Sequence, residues 1–196
     1  IYAGPGNDVI TGDGSADNIY TQSGDDTADG GDGNDYIKST SGSDTMRGGA
    51  GNDELNLSSP TAGVTAFMDG GTGNDTIYYS VYAVNNAKAA LVGGDGADTF
   101  SITTHTDALI SIDLTESVQS VDKVEVSWDS YSGYKPLNPV VVHGFSLAND
   151  AIDIAGFDVW NNASNSYGND ASSAQTLNYS GTMYRNYVQV VDSAAT

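Results

Sequence analysis

Apolar side chains recur every nine residues along the first quarter of the chain, at Ile10, Ile19, Ala28, Ile37, Met46 and Leu55. Polar residues flank most of them, as Thr27 and Asp29 flank Ala28. One apolar residue between two polar ones is the alternation of a short β-strand with one buried face. The intervals are rich in Gly, Asn and Asp, which favour turns. The pattern predicts six-residue turns that alternate with three-residue strands.

The turns repeat as regularly as the strands. Aligned on aspartate, residues 3–56 form six consecutive nine-residue units, and two more follow out of step at 70–78 and 93–101. Position six is Asp in all eight units, position eight is apolar, and position four is Gly except at Ser15. Short repeats of this kind indicate a solenoid. Because Ile1 and Tyr2 match positions eight and nine, we expect the chain to begin inside an array and to be part of a longer protein.

Two units are expected to form one turn of a flattened, right-handed roll, with one apolar layer between two sheets. Turns two units apart then stack on the same side. We call the side that carries Asp8, Asp26 and Asp44 the first edge, and the side that carries Asp17, Asp35 and Asp53 the second edge. The stretches 57–69 and 79–92 lack the turn motif and are expected to be longer half-turns on the first edge. The second edge then continues through Asp75 and Asp98.

The composition indicates that such a fold needs additional stabilisation. The chain has 26 acidic and 6 basic residues, a net charge of −20, 24 glycines, no cysteine and 38% hydrophobic residues. Self-repulsion at this charge opposes compaction and argues against nucleic acid or an anionic membrane as a partner. Disulfides are excluded, and no apolar run is long enough to span a membrane. Bound metal, the repetition of stacked units, or both must supply the stability.

Calcium suits these turns because it takes six to eight oxygen ligands from carboxylates and carbonyls. Ions are expected between successive stacked turns, two on the first edge and four on the second, or about six Ca²⁺ in all. The predicted carboxylate ligands are Asp8, Asp17, Asp26, Asp35, Asp44, Asp53, Asp75 and Asp98. The predicted carbonyl donors are Gly12, Gly14, Gly30, Asp32, Gly33, Gly48, Ala50, Gly51, Gly70, Thr72, Gly73, Gly93, Asp95 and Gly96. Binding should be weaker on the first edge, where two units lack the leading glycine pair. A metal-free solenoid is the alternative, since the same residues also form ordinary turns.

These units resemble the calcium-binding nonapeptide repeat of the RTX proteins, which type I secretion systems export. The resemblance covers about residues 1–101 and implies a parallel β-roll that folds on binding calcium outside the cell. The 22–23-residue units and the C-terminal region resemble those of RTX surface-layer proteins and adhesins. The resemblance therefore implies an extracellular structural module, with neighbouring copies in a surface lattice or a cell-surface glycan as partners.

Residues 102–196 lose the repeat but keep strand-like runs at 108–114, 123–128, 140–145 and 187–191. The predicted architecture is therefore all-β: a parallel β-roll over 1–101 with calcium turns on both edges, followed by a small β-rich cap over 102–196. A cap is expected because a solenoid end exposes an unpaired edge. Its aromatic residues either pack the cap or form a contact surface: Trp128, Tyr131, Tyr134, Trp160 and Tyr167.

Recognisable catalytic chemistry is missing from the sequence. His105 and His143 stand 38 residues apart without zinc-binding spacing, and there is no Gly-x-Ser-x-Gly elbow, phosphate-binding loop or cysteine nucleophile. We therefore expect a protein that is not an enzyme. Two alternatives stay open: the C-terminal RTX tail of a secreted protease or lipase whose catalytic domain lies elsewhere, and a carbohydrate-binding module that uses Trp128 or Trp160.

Overall fold

Parallel β-sheet makes up nearly all of the regular structure. The computed structural model describes residues 1–58, 63–81, 86–104, 108–118, 120–128, 140–146, 149–155, 158–161, 166–169 and 188–191. These residues contain strands and no helix. The strands are β1 (Val9–Thr11), β2 (Asn18–Ser23), β3 (Thr27–Asp32), β4 (Tyr36–Ser41), β5 (Thr45–Ala50), β6 (Glu54–Ser58), β7 (Thr65–Thr72), β8 (Thr76–Val81), β9 (Lys88–Asp95), β10 (Thr99–Thr104), β11 (Leu109–Asp113), β12 (Lys123–Trp128), β13 (Val140–His143), β14 (Ala151–Ala155), β15 (Asp158–Asn161), β16 (Ser166–Asn169) and β17 (Val188–Val191).

Successive strands alternate between two sheets, as a β-roll requires. One sheet has the order β1-β3-β5-β7-β9-β11-β13-β17, and the other has the order β14-β12-β10-β8-β6-β4-β2. All neighbours in both sheets run parallel, and strands two apart in sequence pair with equivalent positions in register, as Ile19 does with Ile37. The predicted all-β parallel roll is confirmed.

The strands after β1 are longer than the predicted three residues. Strand β3, for example, runs from Thr27 through Gly30 and Gly31 to Asp32, so the first three positions of the next unit are strand. The ladder continues because equivalent glycines pair across neighbouring strands, as Gly31 does with Gly49. The tight part of each turn is therefore confined to positions four to six.

The core is a single layer of inward-facing side chains between the two sheets. Every position-eight side chain is buried, from Ile10 at 8% exposed to Phe100 at 0%. The early strands contribute one such apolar residue each, whereas β6 adds Leu57 and β8 adds Tyr79 and Val81. The apolar layer therefore widens toward the later strands, and the early turns have the least hydrophobic stabilisation.

The longer units occupy the predicted place. Strand β6 stacks on β8, and β5 stacks on β7, although 22 residues separate their equivalent positions instead of 18. The extra residues follow β6 and precede β7, so they lie on the first edge. Most of the described residues in 57–69 and 79–92 lie in strands β6, β7, β8 and β9, so the first-edge connections are shorter than these stretches.

Both sheets extend past residue 101, where the sequence led us to expect a cap. Strand β12 pairs in parallel with β10, β14 pairs with β12, and β11 and β13 continue the other sheet. Residue 101 therefore marks the end of the glycine-rich motif and not the end of the sheets. Only β15 and β16 form an antiparallel hairpin among the described strands.

Several residues that the sequence analysis singled out lie outside the part of the chain that the structure describes. His105, Tyr131 and Tyr134 lie there, as do the side chains of Trp128, Trp160 and Tyr167. His143 lies in β13 with an exposed side chain and pairs in register with Asp113. In the part of the chain that the structure describes, no helix has the length and apolar character needed to cross a bilayer.

Candidate metal-binding turns

The position-six aspartates form two hydrogen-bonded ladders, one along each edge. On each edge, the backbone N–H of one aspartate donates to the Oδ1 of the aspartate in the next stacked turn. On the first edge, Asp8 donates to Asp26 (2.8 Å) and Asp26 donates to Asp44 (2.9 Å). On the second edge the ladder joins Asp17, Asp35, Asp53, Asp75 and Asp98, with distances of 2.7–2.8 Å. The predicted division of the aspartates between two edges is confirmed.

The second-edge ladder also includes two aspartates that the sequence analysis missed. The N–H of Asp98 donates to Asp122 Oδ1 (2.8 Å), and that of Asp122 donates to Asp150 Oδ1 (3.2 Å). Neither follows a Gly-rich motif, but each stands two residues before an apolar residue of a strand, Val124 or Ile152. That spacing matches positions six and eight of the repeat. It is the one sequence signal that could have identified them.

The second oxygen of most repeat aspartates is buried without a hydrogen-bond partner. These atoms are the Oδ2 atoms of Asp8, Asp26, Asp35, Asp53, Asp75 and Asp98. A buried carboxylate oxygen without a donor costs several kcal/mol if it is ionised, so such a row is unexpected in a stable fold. Bound cations would remove that cost.

Burial perturbs the ionisation of the same carboxyl groups. Desolvation raises the pKa of Asp53, and it raises the pKa of Asp75 to about 6 and that of Asp98 to about 7. Repulsion by neighbouring aspartates adds to the effect, while the backbone N–H donors oppose it. Among the described residues, only acidic side chains and backbone N–H groups act on Asp75 and Asp98, so a bound cation would restore the ionised form.

Backbone carbonyl groups fill the gaps between stacked turns. The carbonyl oxygen of Gly33 points toward the α-carbon of Gly51 in the next turn, and that of Gly31 points toward Gly49. Gly51 has φ of +131°, which only glycine adopts readily, and a Cβ there would collide with the oxygen of Gly33. Glycine is therefore required at position 51 both by the backbone conformation and by this close approach.

The predicted carbonyl donors at positions one and three differ from those at position four. Position-one carbonyls point back at the preceding turn, as that of Gly70 does toward Gly48. Position-three carbonyls accept a hydrogen bond from the preceding position-four N–H, as Ala50 does from Gly33 and Thr72 does from Gly51 (2.7 and 2.8 Å). Position-two carbonyls, which the sequence analysis did not include, also point into the gaps.

The first edge differs from the second at position one. Thr21 and Ser39 stand where the second edge has glycine, and both are buried. The hydroxyl of Ser39 donates to Asp44 Oδ2, which therefore has a partner. The hydroxyl therefore supplies Asp44 Oδ2 with the partner that a cation would supply at the other aspartates. It gives a structural reason to expect weaker metal binding on this edge.

The arrangement suits a hard cation that binds oxygen atoms from both main chain and side chain. Within the described ranges, no three His, Cys, Asp or Glu side chains converge as a metal cluster. Any ion between these turns must therefore take most of its ligands from carbonyl groups, with one or two aspartates supplying charge.

Comparison with known proteins agrees with the repeat. A family model described as the RTX calcium-binding nonapeptide repeat matches four copies, over residues 1–28, 29–59 and 67–78. No curated protein and no solved structure matches the chain.

Proposed function

Because this chain carries RTX calcium-binding nonapeptide repeats, we propose that it is a calcium-dependent structural module of a secreted bacterial surface protein. The module folds when it binds calcium outside the cell, and its place is in a surface layer or an adhesin. The 22–23-residue units support this context, because they resemble those of RTX surface-layer proteins and adhesins, and they contain the two longest strands, β7 and β9. The observation that carries the proposal is the row of buried, unpartnered aspartate Oδ2 atoms.

Charge and packing support a fold that depends on metal. The net charge is −20, and the acidic groups of the second edge stack directly above one another. The early strands offset this repulsion with only one apolar side chain each. Each calcium ion bound by the folded state and not by the unfolded state adds to the free energy of unfolding. We expect about six ions, four in the second-edge gaps and two on the first edge.

Calcium-dependent folding is tested by far-UV circular dichroism of the full chain. We expect disordered spectra in chelator at low salt and β-sheet spectra with millimolar calcium, in the range typical of extracellular calcium modules. Magnesium at equal concentration controls for divalent charge, since it prefers octahedral sites and retains water. Sodium chloride at matched ionic strength controls for screening. Equal β-sheet content in chelator and in calcium would refute the proposal.

A further inference from the structure

The second edge continues beyond its last glycine-rich turn. Residues 93–98 form that turn, and the described residues that stack on it are 116–118 and 120–122. No nonapeptide motif is present in that segment, yet Asp122 is 1% exposed and accepts the ladder hydrogen bond from Asp98. We call the space between this turn and this segment the last gap.

Glu116 occupies the place of a main-chain carbonyl in the last gap. In earlier turns, the position-four N–H donates to the position-three carbonyl of the next turn, as Gly51 does to Thr72 and Gly73 does to Asp95 (both 2.8 Å). In the last turn, the N–H of Gly96 points at Glu116 Oε2 instead (3.4 Å). A carboxylate thus replaces a neutral oxygen and adds a negative charge.

In the last gap, two acceptor oxygens lie within hydrogen-bond distance of a single hydroxyl, that of Ser120. Glu116 Oε1 accepts a hydrogen bond from the N–H of Ser120 (2.7 Å). Ser120 Oγ lies 2.7 Å from the carbonyl oxygen of Gly96 and 2.8 Å from Glu116 Oε2. A hydroxyl carries one proton and can donate to only one of these two acceptors. The other pair of oxygens is left in contact without a hydrogen between them. A cation at this place would make such a contact favourable.

Asp98, in the turn on the other side of the last gap, is a second and independent indication of a cation site. Its side chain is 1% exposed, and its Oδ2 has no hydrogen-bond partner. This oxygen lies beside Gly93, the same relation that Asp75 Oδ2 has to Gly70 in the preceding turn. Lys123, which directly follows Asp122, has a side chain that is 49% exposed and pairs with Glu125. In the described part of the chain, no ion pair offsets the charge of Asp98.

The next gap along the edge differs. Asp150 Oδ2 accepts a hydrogen bond from the N–H of Ser146 (2.6 Å), so this carboxylate is satisfied by the protein. Asp98 Oδ2 has no such donor.

We infer that the last gap is an additional calcium site, between the last nonapeptide turn and a segment without the motif, in which Asp98 and Glu116 supply the charge. Ser120 Oγ and the carbonyl oxygen of Gly96 are further ligands, because position-four carbonyls point at the following turn in the earlier units. This inference rests on the proposed calcium-dependent function. It adds one ion beyond the four expected between the repeats of the second edge.

The test compares Glu116→Gln with Glu125→Gln, which removes the same charge from an exposed position on a sheet face. Native mass spectrometry and calorimetry with calcium count the bound ions and their affinities. We expect Glu116→Gln to lose one ion, or to weaken one site by about tenfold or more, and Glu125→Gln to match the wild type. A wild type that binds no calcium would refute the proposed function. A wild type that binds calcium with an unchanged Glu116→Gln count and affinity would refute only the additional site.

A crystal structure of the wild type with calcium gives a test that does not depend on how the variants fold. An anomalous scattering peak between Asp98 Oδ2 and Glu116 would establish the site. Peaks between the earlier second-edge turns, with none in the last gap, would overturn the inference while leaving the proposed function intact.

Discussion

Gly48 is the position where a single methyl group should remove one calcium site. Its backbone lies outside the left-handed region, so alanine fits the local conformation. A Cβ there would lie 2.5 Å from the carbonyl oxygen of Gly70 and 2.7 Å from Asp53 Cβ, and closer still to Asp53 Oδ2. These oxygens are the proposed ligands between the turns of Asp53 and Asp75. Gly48→Ala therefore acts on the metal site and not on backbone strain.

The expected magnitude can be worked out from the space that the methyl group needs. Relieving a 2.5 Å contact to the 3.4 Å of ordinary van der Waals contact moves the Gly70 oxygen by about 1 Å. Calcium–oxygen bonds span only about 2.3–2.6 Å, so this displacement breaks one. Overpacking costs about 1–3 kcal/mol. Loss of an ion held at ten times its Kd removes about 1.4 kcal/mol more. Together the free energy of unfolding should fall by about 2–4 kcal/mol.

Gly14→Ala is the matched control. Gly14 has no atom within 4 Å of a built Cβ and no left-handed φ. It should bind calcium like the wild type, because alanine keeps the backbone carbonyl that is the predicted ligand. It should be more stable by about 0.4–1 kcal/mol, because alanine restricts the unfolded chain. Urea unfolding at saturating calcium measures both variants, and native mass spectrometry counts their ions. If Gly48→Ala keeps the wild-type ion count and stability, the assignment of these oxygens as ligands is wrong.

Two further predictions concern protons and the two edges. Burial raises the pKa of Asp75 to about 6 and that of Asp98 to about 7, above the unfolded value of 3.8. The metal-free folded state therefore binds more protons than the unfolded state between about pH 4 and 7, and its stability should rise as the pH falls through this window. In chelator, circular dichroism should show more β-sheet at pH 5 than at pH 8. An unchanged or smaller β-sheet signal at pH 5 would contradict the raised pKa values of Asp75 and Asp98 in the metal-free fold. Asp35→Ala should raise the calcium midpoint of folding more than Asp26→Ala, because the second edge is longer and has glycine at position one; equal midpoints would remove the distinction between the edges.

The nine-residue period is sufficient to predict the repetitive part of the molecule. Because position eight must face inward, the spacing of Ile19 and Ile37 in the sequence identifies the buried face. Because two units complete one turn of the roll, the spacing of Asp35 and Asp53 places both on the second edge. The alternation at 123–128 also predicts a strand there, but not its place in the same sheet as the repeats. The repeat predicts which turns stack only as far as residue 101, where the nine-residue motif ends.

Only the tertiary structure decided the arrangement beyond residue 101. Asp98, Asp122 and Asp150 are 24 and 28 residues apart, and the turn motif is absent, so no sequence period relates them. They stack because parallel strands must keep their backbone hydrogen bonds in register, whatever the length of the connection on the other edge. The same register places the Glu116 carboxylate in the position of a carbonyl oxygen. Glu116 can take the place of a main-chain carbonyl because the stacked strands hold the last gap at a fixed width. That gap forms only when the strands have stacked.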